Sequence, residues 1–327
     1  MSPNKRPLIY LAVAIVAALA ILVIEGPERF RPGGSSENYF IPDFDSANVT
    51  RVEVDQLVDG VVLEREGEGW KVSELVTPMK KGLLEKEGRP LPETKWRAAD
   101  RTRINSALGS FGGLAEGVLV SENPEKQALY QASDVLGLKV RALGAEGKPI
   151  VDVVIGKSGP DFESTYVRKA GEGRVYLVRR ALVGMFSSRA DDWREKKLWT
   201  IDPKTVSGVE VSSPKGSWRM TKAEGGEWGL ALPAGGAFDA AAAGALAGKL
   251  SGLRAQGFAD DADEKIAGLE TPSLTLAVSY GADKSVKLFV GKEMAEAGKK
   301  DEKSRRYYAK LEGSGQIYLI PKSLVDS

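Results

Sequence analysis

This 327-residue chain contains no cysteine and no histidine. Without cysteine it has no disulfide, no thiolate nucleophile, no Cys-based metal site and no lipid-modified N-terminal cysteine. Without histidine it lacks the commonest general base and transition-metal ligand. Ser-His-Asp triads, Cys-His dyads and ordinary zinc sites are thereby excluded within the chain. Only carboxylates, Lys, Tyr, Ser and Thr remain for chemistry. A charge excess is missing too: 46 basic and 45 acidic residues nearly cancel, and neither sign forms a long block. A nucleic-acid binder needs a basic face, so the composition predicts no nucleic-acid partner. A hydrophobic content of 42% and a charged content of 28% are those of a globular protein. The length suits about two domains.

One long uncharged run is present. Lys5 and Arg6 precede LIYLAVAIVAALAILVI, Leu8 to Ile24, and Glu25 and Glu28 follow it. As a helix these residues rise about 25 Å, near the lower limit for a bilayer span. The run has no polar face, unlike a helix packed on a core. The charge order predicts a single-pass anchor in the cytoplasmic (inner) membrane, N-terminus inside and the remainder in the periplasm. Ala18-Leu19-Ala20 also fits a small-x-small cleavage site, so a cleaved signal peptide is the alternative. The apolar residues beyond Ala20 favour the uncleaved anchor, and both readings export the bulk of the chain. Residues 25–43, rich in Pro, Gly and Ser, read as a flexible stalk.

The rest of the sequence is written twice. SANVTRVEV (46–54) matches PKTVSGVEV (203–211), and GEGWKVS (67–73) matches GGEWGLA (225–231). VDVVIGK (151–157) meets VKLFVGK (286–292). In YVRKAGEGRVYLVRRALV and YAKLEGSGQIYLIPKSLV, Tyr166/Tyr308, Gly171/Gly313, Gly173/Gly315, Tyr176/Tyr318 and Leu182/Leu324 keep one offset of 142. Each copy reads as three strands, a helix N-capped by Asp100 or Asp239, then two hairpins. In the first helix Ile104, Leu108, Phe111 and Leu114 share one face. Gly171 and Gly313 supply the φ > 0 that tight turns need.

This predicts an α+β fold: an N-terminal transmembrane helix (1–24), the stalk (25–43), then two tandem homologous repeats (44–183 and 201–327). Each repeat is a largely antiparallel sheet with one main helix. Residues 184–200, with Met185, Phe186, Trp193 and Leu198 as packing positions, read as a connecting helix between them. Asp191, Asp192 and Glu195 in that segment suggest an acid pair or metal site, but with Arg194, Lys196 and Lys197 as neighbours they read better as a solvated face.

The copies differ in two places. From Trp70 to Asp100 is 30 positions, whereas from Trp228 to Asp239 is only 11. The extra residues, within 74–97, read as a surface insertion or as a partner-docking loop with Leu83, Leu84 and Trp96 as anchors. The second copy has an insertion at 295–306, where Lys299, Lys300, Lys303, Arg305 and Arg306 gather. It reads as a solvated hairpin tip, with a lipid- or polymer-binding patch as the alternative.

Two motifs invite chemistry and fail its requirements. Gly156-Lys157-Ser158 resembles the end of a phosphate-binding loop, but Val151 stands where the first glycine belongs and a strand fills the interval. Gly159-Pro160 then prevents the helix that should follow, so no nucleotide is expected. Ser212-Ser213-Pro214-Lys215 fits Ser-x-x-Lys but falls in a turn between strands, not at a helix start. The residues therefore predict no catalytic, cofactor-binding or metal-binding position, no cofactor, and a non-enzymatic protein.

DFDSANVTRVEV, EGEGW, VVIGK, RVYLV and DDWREKKLW, with the anchor and the doubled pattern, resemble the bacterial "domain of unknown function 4340" family. The resemblance implies an envelope protein, often encoded beside gliding-motility-type ABC transporter subunits, with no assigned catalytic residues. The expectation is a membrane-anchored extracytoplasmic accessory or scaffold protein docking an ABC-type transporter or envelope complex. The alternative is a module binding an envelope ligand such as a glycan in the cleft between the repeats.

Overall fold

The computed structural model describes residues 39–233, 238–294 and 305–325. Its first unit begins with a meander, β1 (Arg51–Gln56), β2 (Asp59–Glu66) and β3 (Gly69–Glu74). Helix α1 (Pro78–Lys86) and a two-residue strand β4 (Arg97–Ala98) follow. Helix α2 (Arg101–Gly109) then leads to β5 (Val118–Ser121), and β6 (Leu138–Leu143), β7 (Pro149–Ser158), β8 (Thr165–Lys169) and β9 (Val175–Val178) complete the sheet. The nine strands lie in the order β4-β3-β2-β1-β6-β7-β8-β9-β5.

The second unit contains β10 (Lys197–Thr200), β11 (Val206–Ser213), β12 (Gly216–Lys222), β13 (Trp228–Leu232), helix α3 (Ala240–Leu250), β14 (Gly252–Arg254) and β15 (Gly257–Phe258). A short α4 (Glu264–Ala267) precedes β16 (Leu274–Tyr280), β17 (Lys284–Glu293), β18 (Arg306–Leu311), β19 (Ile317–Pro321) and α5 (Lys322–Val325). Its eight-stranded sheet runs β13-β12-β11-β16-β17-β18-β19-β15, and β10 pairs with β14 apart from it. Strand for strand this is the order of the first sheet without β4.

The α+β expectation is corrected: the molecule is mostly β. Two large sheets carry it, the strand pairings among the described residues are antiparallel, and the longest helix among those residues, α3, has 11 residues. The sequence overweighted its one long helical stretch per copy, because α2 stops at Gly109 and the apolar residues after it pack without helix. Among the described residues no helix is long and apolar enough to cross a membrane. The expected transmembrane helix at 1–24 and most of the stalk lie outside the described residues, as does most of the 295–306 insertion.

Alternation builds each core. Val52 and Val54, Val61 and Leu63, Trp70 and Val72, Val140 and Ala142, and Val151, Val153 and Ile155 all point to one side of the first sheet. Ile104, Ala107 and Leu108 of α2 fill that side, joined by Phe111 and Leu114 beyond the helix end. Asp100 caps α2, its Oδ1 accepting from Arg103 N at 3.1 Å. Asp239 caps α3, accepting from Ala241 N at 2.9 Å and Ala242 N at 3.0 Å.

The stalk ends sooner than expected. Phe40 and Ile41 are buried in the first core, Phe40 N donates to Leu114 O at 2.7 Å, and its ring meets Tyr176 edge-on at 5.6 Å. The connecting helix at 184–200 is also corrected. Those residues form an irregular strap with Gly184 at φ 86°, one 3-10 turn at Ala190–Asp192, and β10. Their apolar side chains serve two cores, which a helix could not reach together: Phe186 and Trp193 enter the first, as does Leu182 just before them, and Leu198 and Trp199 enter the second.

Gly156 and Gly291 are close-approach positions. A Cβ on Gly156 would meet Tyr130 O at 2.3 Å, and one on Gly291 would meet Ala267 O at 2.0 Å. The segment before the sheet's second half therefore lies on the same strand position in both units. Strand β7 runs through Gly156-Lys157-Ser158 without a phosphate loop.

Candidate functional site: the cleft between the two units

The strap that joins the units also walls a cleft of about 700 Å³. The first unit contributes Ser73 on β3, Lys80 on α1, and Glu93, Lys95 and Arg97 from the insertion. The strap contributes Arg189, Asp191 and Arg194, and the second unit Asp260 and Asp261. Glu93, Lys95 and Arg97 belong to the segment that only the first copy carries. The inserted residues are thus a wall of the cleft.

Arg194 is its keystone. The side chain is 5% exposed although it belongs to a run of charges. Its Nη1 donates to Asp260 Oδ2 at 2.6 Å and to Asp191 Oδ1 at 3.0 Å. Its Nη2 donates to Asp260 Oδ1 at 2.9 Å and to Gln316 Oε1 at 2.9 Å. The Arg–Asp pair is bidentate, the geometry that a planar guanidinium prefers. The guanidinium carbon also lies 3.5 Å from the Phe258 ring centroid. Burial raises the pKa of Asp260, but the hydrogen bonds from Arg194 and Gln316 outweigh it and hold the carboxyl below the ordinary carboxylate range. A second pair crosses the junction, Arg254 Nη2 donating to Asp100 Oδ2 at 3.0 Å. Burial raises Asp100 as well, and the hydrogen bonds from Arg254 and the helix N-terminus bring it below normal.

Two buried polar atoms in the residues lining this cleft have no hydrogen-bond partner among the described residues, Ser73 Oγ and Arg194 Nε. Ser73 lies on the opposite face of β3 from Trp70 and Val72, in the lining of the cleft. Each can donate a hydrogen bond, and a buried donor without a partner is costly.

Arg194 does not belong to a solvated face: Trp193 is fully buried beside it and draws the strap inward. Asp191 does pair with Arg194, Asp192 Oδ2 accepts from Ser187 Oγ at 2.6 Å, and Glu195 Oε1 accepts from Lys197 N at 2.7 Å. Among the described residues no group of three or more acids could hold a metal ion. Ser213 is engaged in its own turn, accepting from Lys215 N at 3.3 Å and donating to Gly216 O at 3.1 Å. Of the proposed docking anchors, Leu84 is buried within the unit, Trp96 lies under Lys71 Nζ at 4.8 Å, and Leu83 stays exposed. Sequence reasoning missed Ser73, Asp260 and Gln316 entirely. Only the placement of Arg194 inside the DDWREKKLW block pointed this way.

No curated protein matches this chain. The family described as Domain of unknown function (DUF4340) matches residues 91–272, from the inserted wall of the cleft through the strap and α4. That span includes Arg97, Arg194 and Asp260, so the family's shared segment contains most of the junction. The chain belongs to the DUF4340 family.

Proposed function

We propose that this chain is a non-enzymatic accessory protein of the cell envelope, held at the outer face of the cytoplasmic membrane and docking an ABC-type transporter or a comparable envelope complex. The observation that carries the non-enzymatic reading is the commitment of the cleft's enclosed charges. The Nη groups of Arg194 pair with the carboxylates of Asp191 and Asp260, which leaves no poised acid, base or activated nucleophile among them. The uncharged run Leu8–Ile24 between cations and acids supports the location. Because the chain lacks cysteine, a single Glu93→Cys variant carries a photo-crosslinker at the cleft rim without background labelling. Illumination in native membranes is expected to give a discrete adduct containing a transporter subunit. Labelling of no protein beyond the chain itself contradicts the proposal.

The unpartnered Ser73 Oγ and Arg194 Nε favour a second reading, a polar envelope ligand such as a glycan in the cleft. The detergent-solubilised full chain is then expected to bind members of a glycan panel unaided. Arg97→Ala is expected to reduce that binding, and a blank panel removes this reading.

A further inference from the structure

The first sheet has two differently finished ends. One end gathers the β1–β2 turn, the start of α1, the approach to β6, the β7–β8 turn and the chain leaving β9. The register places them together: Gln56 pairs with Asp59 at the tip, Gln56 Nε2 donates to Leu136 O at 2.8 Å, and Thr77 Oγ1 donates to Leu57 O at 2.8 Å. Each connection exposes a large apolar side chain: Leu57, Met79, Val135 and Leu136, Phe162, and Val183. The opposite end turns at Glu66–Gly69, Gly144–Lys148 and Ala170–Arg174, and exposes no large apolar side chain in those turns. In the second sheet the register sets Pro214-Lys215 where Leu57-Val58 stands, and Thr271-Pro272 where Val135-Leu136 stands. At these two connections the second unit exposes no large apolar side chain, whereas Leu232 and Phe238 are exposed where its chain leaves β13.

Two of these tips are held against their backbone preference. Leu57 has φ 55° and Phe162 φ 59°, a region that L side chains other than Asn and Asp rarely adopt. Phe162 is 81% exposed, so no packing in the unit accounts for its conformation or its type. The apolar groups sit on separate turn tips instead of lining a groove. Such protrusions suit a fluid apolar medium, which closes around each tip, better than the fixed surface of a protein.

The described chain begins at this same end. Tyr39 pairs with Ala115, and Gly117, two residues further on, lies against Leu177 and Val178 at the exit of β9. Only 14 residues separate Tyr39 from Ile24 at the end of the apolar run. They span at most about 50 Å. We infer that the end of the first sheet bearing Leu57, Met79, Leu136 and Phe162 lies on the lipid surface, its turn tips entering the headgroup–acyl boundary beside the anchor. Asp161 and Glu163 flank Phe162 while Lys80 and Lys81 flank Met79, so apolar insertion and not anionic attraction drives the contact.

This inference rests on the membrane attachment proposed above, and the experiment separates the two. The full chain carries one cysteine at a time, Leu57→Cys or Phe162→Cys at the apolar end and Glu146→Cys or Glu172→Cys at the other. Each is labelled with a polarity-sensitive fluorophore and reconstituted into phosphatidylethanolamine/phosphatidylglycerol vesicles containing a lipid-borne quencher. Labels at 57 and 162 are expected to shift to shorter emission wavelength and be quenched, those at 146 and 172 to do neither. Equal, water-like emission at all four sites in chains that float with the vesicles overturns the surface but leaves the attachment. Chains that fail to float overturn both. Blue-shifted but unquenched labels at 57 and 162 indicate burial against protein, and also overturn the lipid contact.

Discussion

Single residues in this fold are constrained by what approaches their backbone more than by what they display. Gly156 and Gly291 look like ordinary strand-exit residues in sequence, yet each admits a carbonyl where a Cβ would stand. Alanine at either position is expected to cost roughly 1–3 kcal/mol, because neither a strand nor the crossing segment can give way cheaply. Gly171→Ala, at φ 76° with open space around it, is expected to lose only about 1 kcal/mol. Urea denaturation of the three variants decides this, and equal losses at 156 and 171 count against the close-approach explanation. Leu57 tests the opposite case. Leu57→Gly removes a strained φ and an exposed side chain, so thermal stability is expected to hold or rise by about 1 kcal/mol. A clear loss would show that Leu57 packs within the unit after all.

Among elements, the two capped helices were the most legible in sequence. Asp100 and Asp239 precede helical stretches at matching places, and local hydrogen bonding makes such caps readable without tertiary knowledge. The Gly171 and Gly313 turns were legible for the same reason, with φ values of 76° and 77°. The strap was not. Leu182, Phe186 and Trp193 have spacings that imitate a helix face, but periodicity cannot say that neighbouring side chains will enter two different cores. Phe40 and Ile41 were hidden by the composition around them, since their burial depends on Leu114 and Tyr176 far along the chain. The caps are not equivalent in consequence. Asp239→Ala is expected to cost about 1 kcal/mol as a lost cap. Asp100→Ala loses the cap and the Arg254 pair, so it is expected to cost more. A double-mutant cycle with Arg254→Ala isolates the pair at about 0.5–1 kcal/mol, because Arg254 is half-exposed. A coupling of zero would leave the cap as the whole effect.

At the scale of the molecule, the two units meet through carboxylates whose ionised form is favoured. Asp100 and Asp260 both have folded pKa values below the ordinary value, and each bonds an arginine across the junction. Such groups bind protons more weakly in the folded state, so their contribution is complete above the unfolded value of about 3.9. It is lost as pH falls through the lower folded values. Protection of the Asp100 and Glu195 amides, which bond Trp193 O and Ala98 O, relative to their intrinsic exchange at each pH, is expected to hold at pH 5 and to fall below about pH 4, ahead of the sheet cores. Simultaneous loss of protection in junction and cores would contradict this. The junction was the least legible part of the sequence. Arg194 and Asp260 stand 66 positions apart, and nothing local in either segment names the other.

Docking to a membrane complex is the role proposed for this doubled β protein. Native mass spectrometry of the full chain solubilised from its own membranes tests it most directly. A species whose mass is the chain plus transporter subunits is expected, and it dissociates when Arg194→Ala disturbs the junction. Recovery of the chain only as itself, from membranes that contain the transporter, would contradict it.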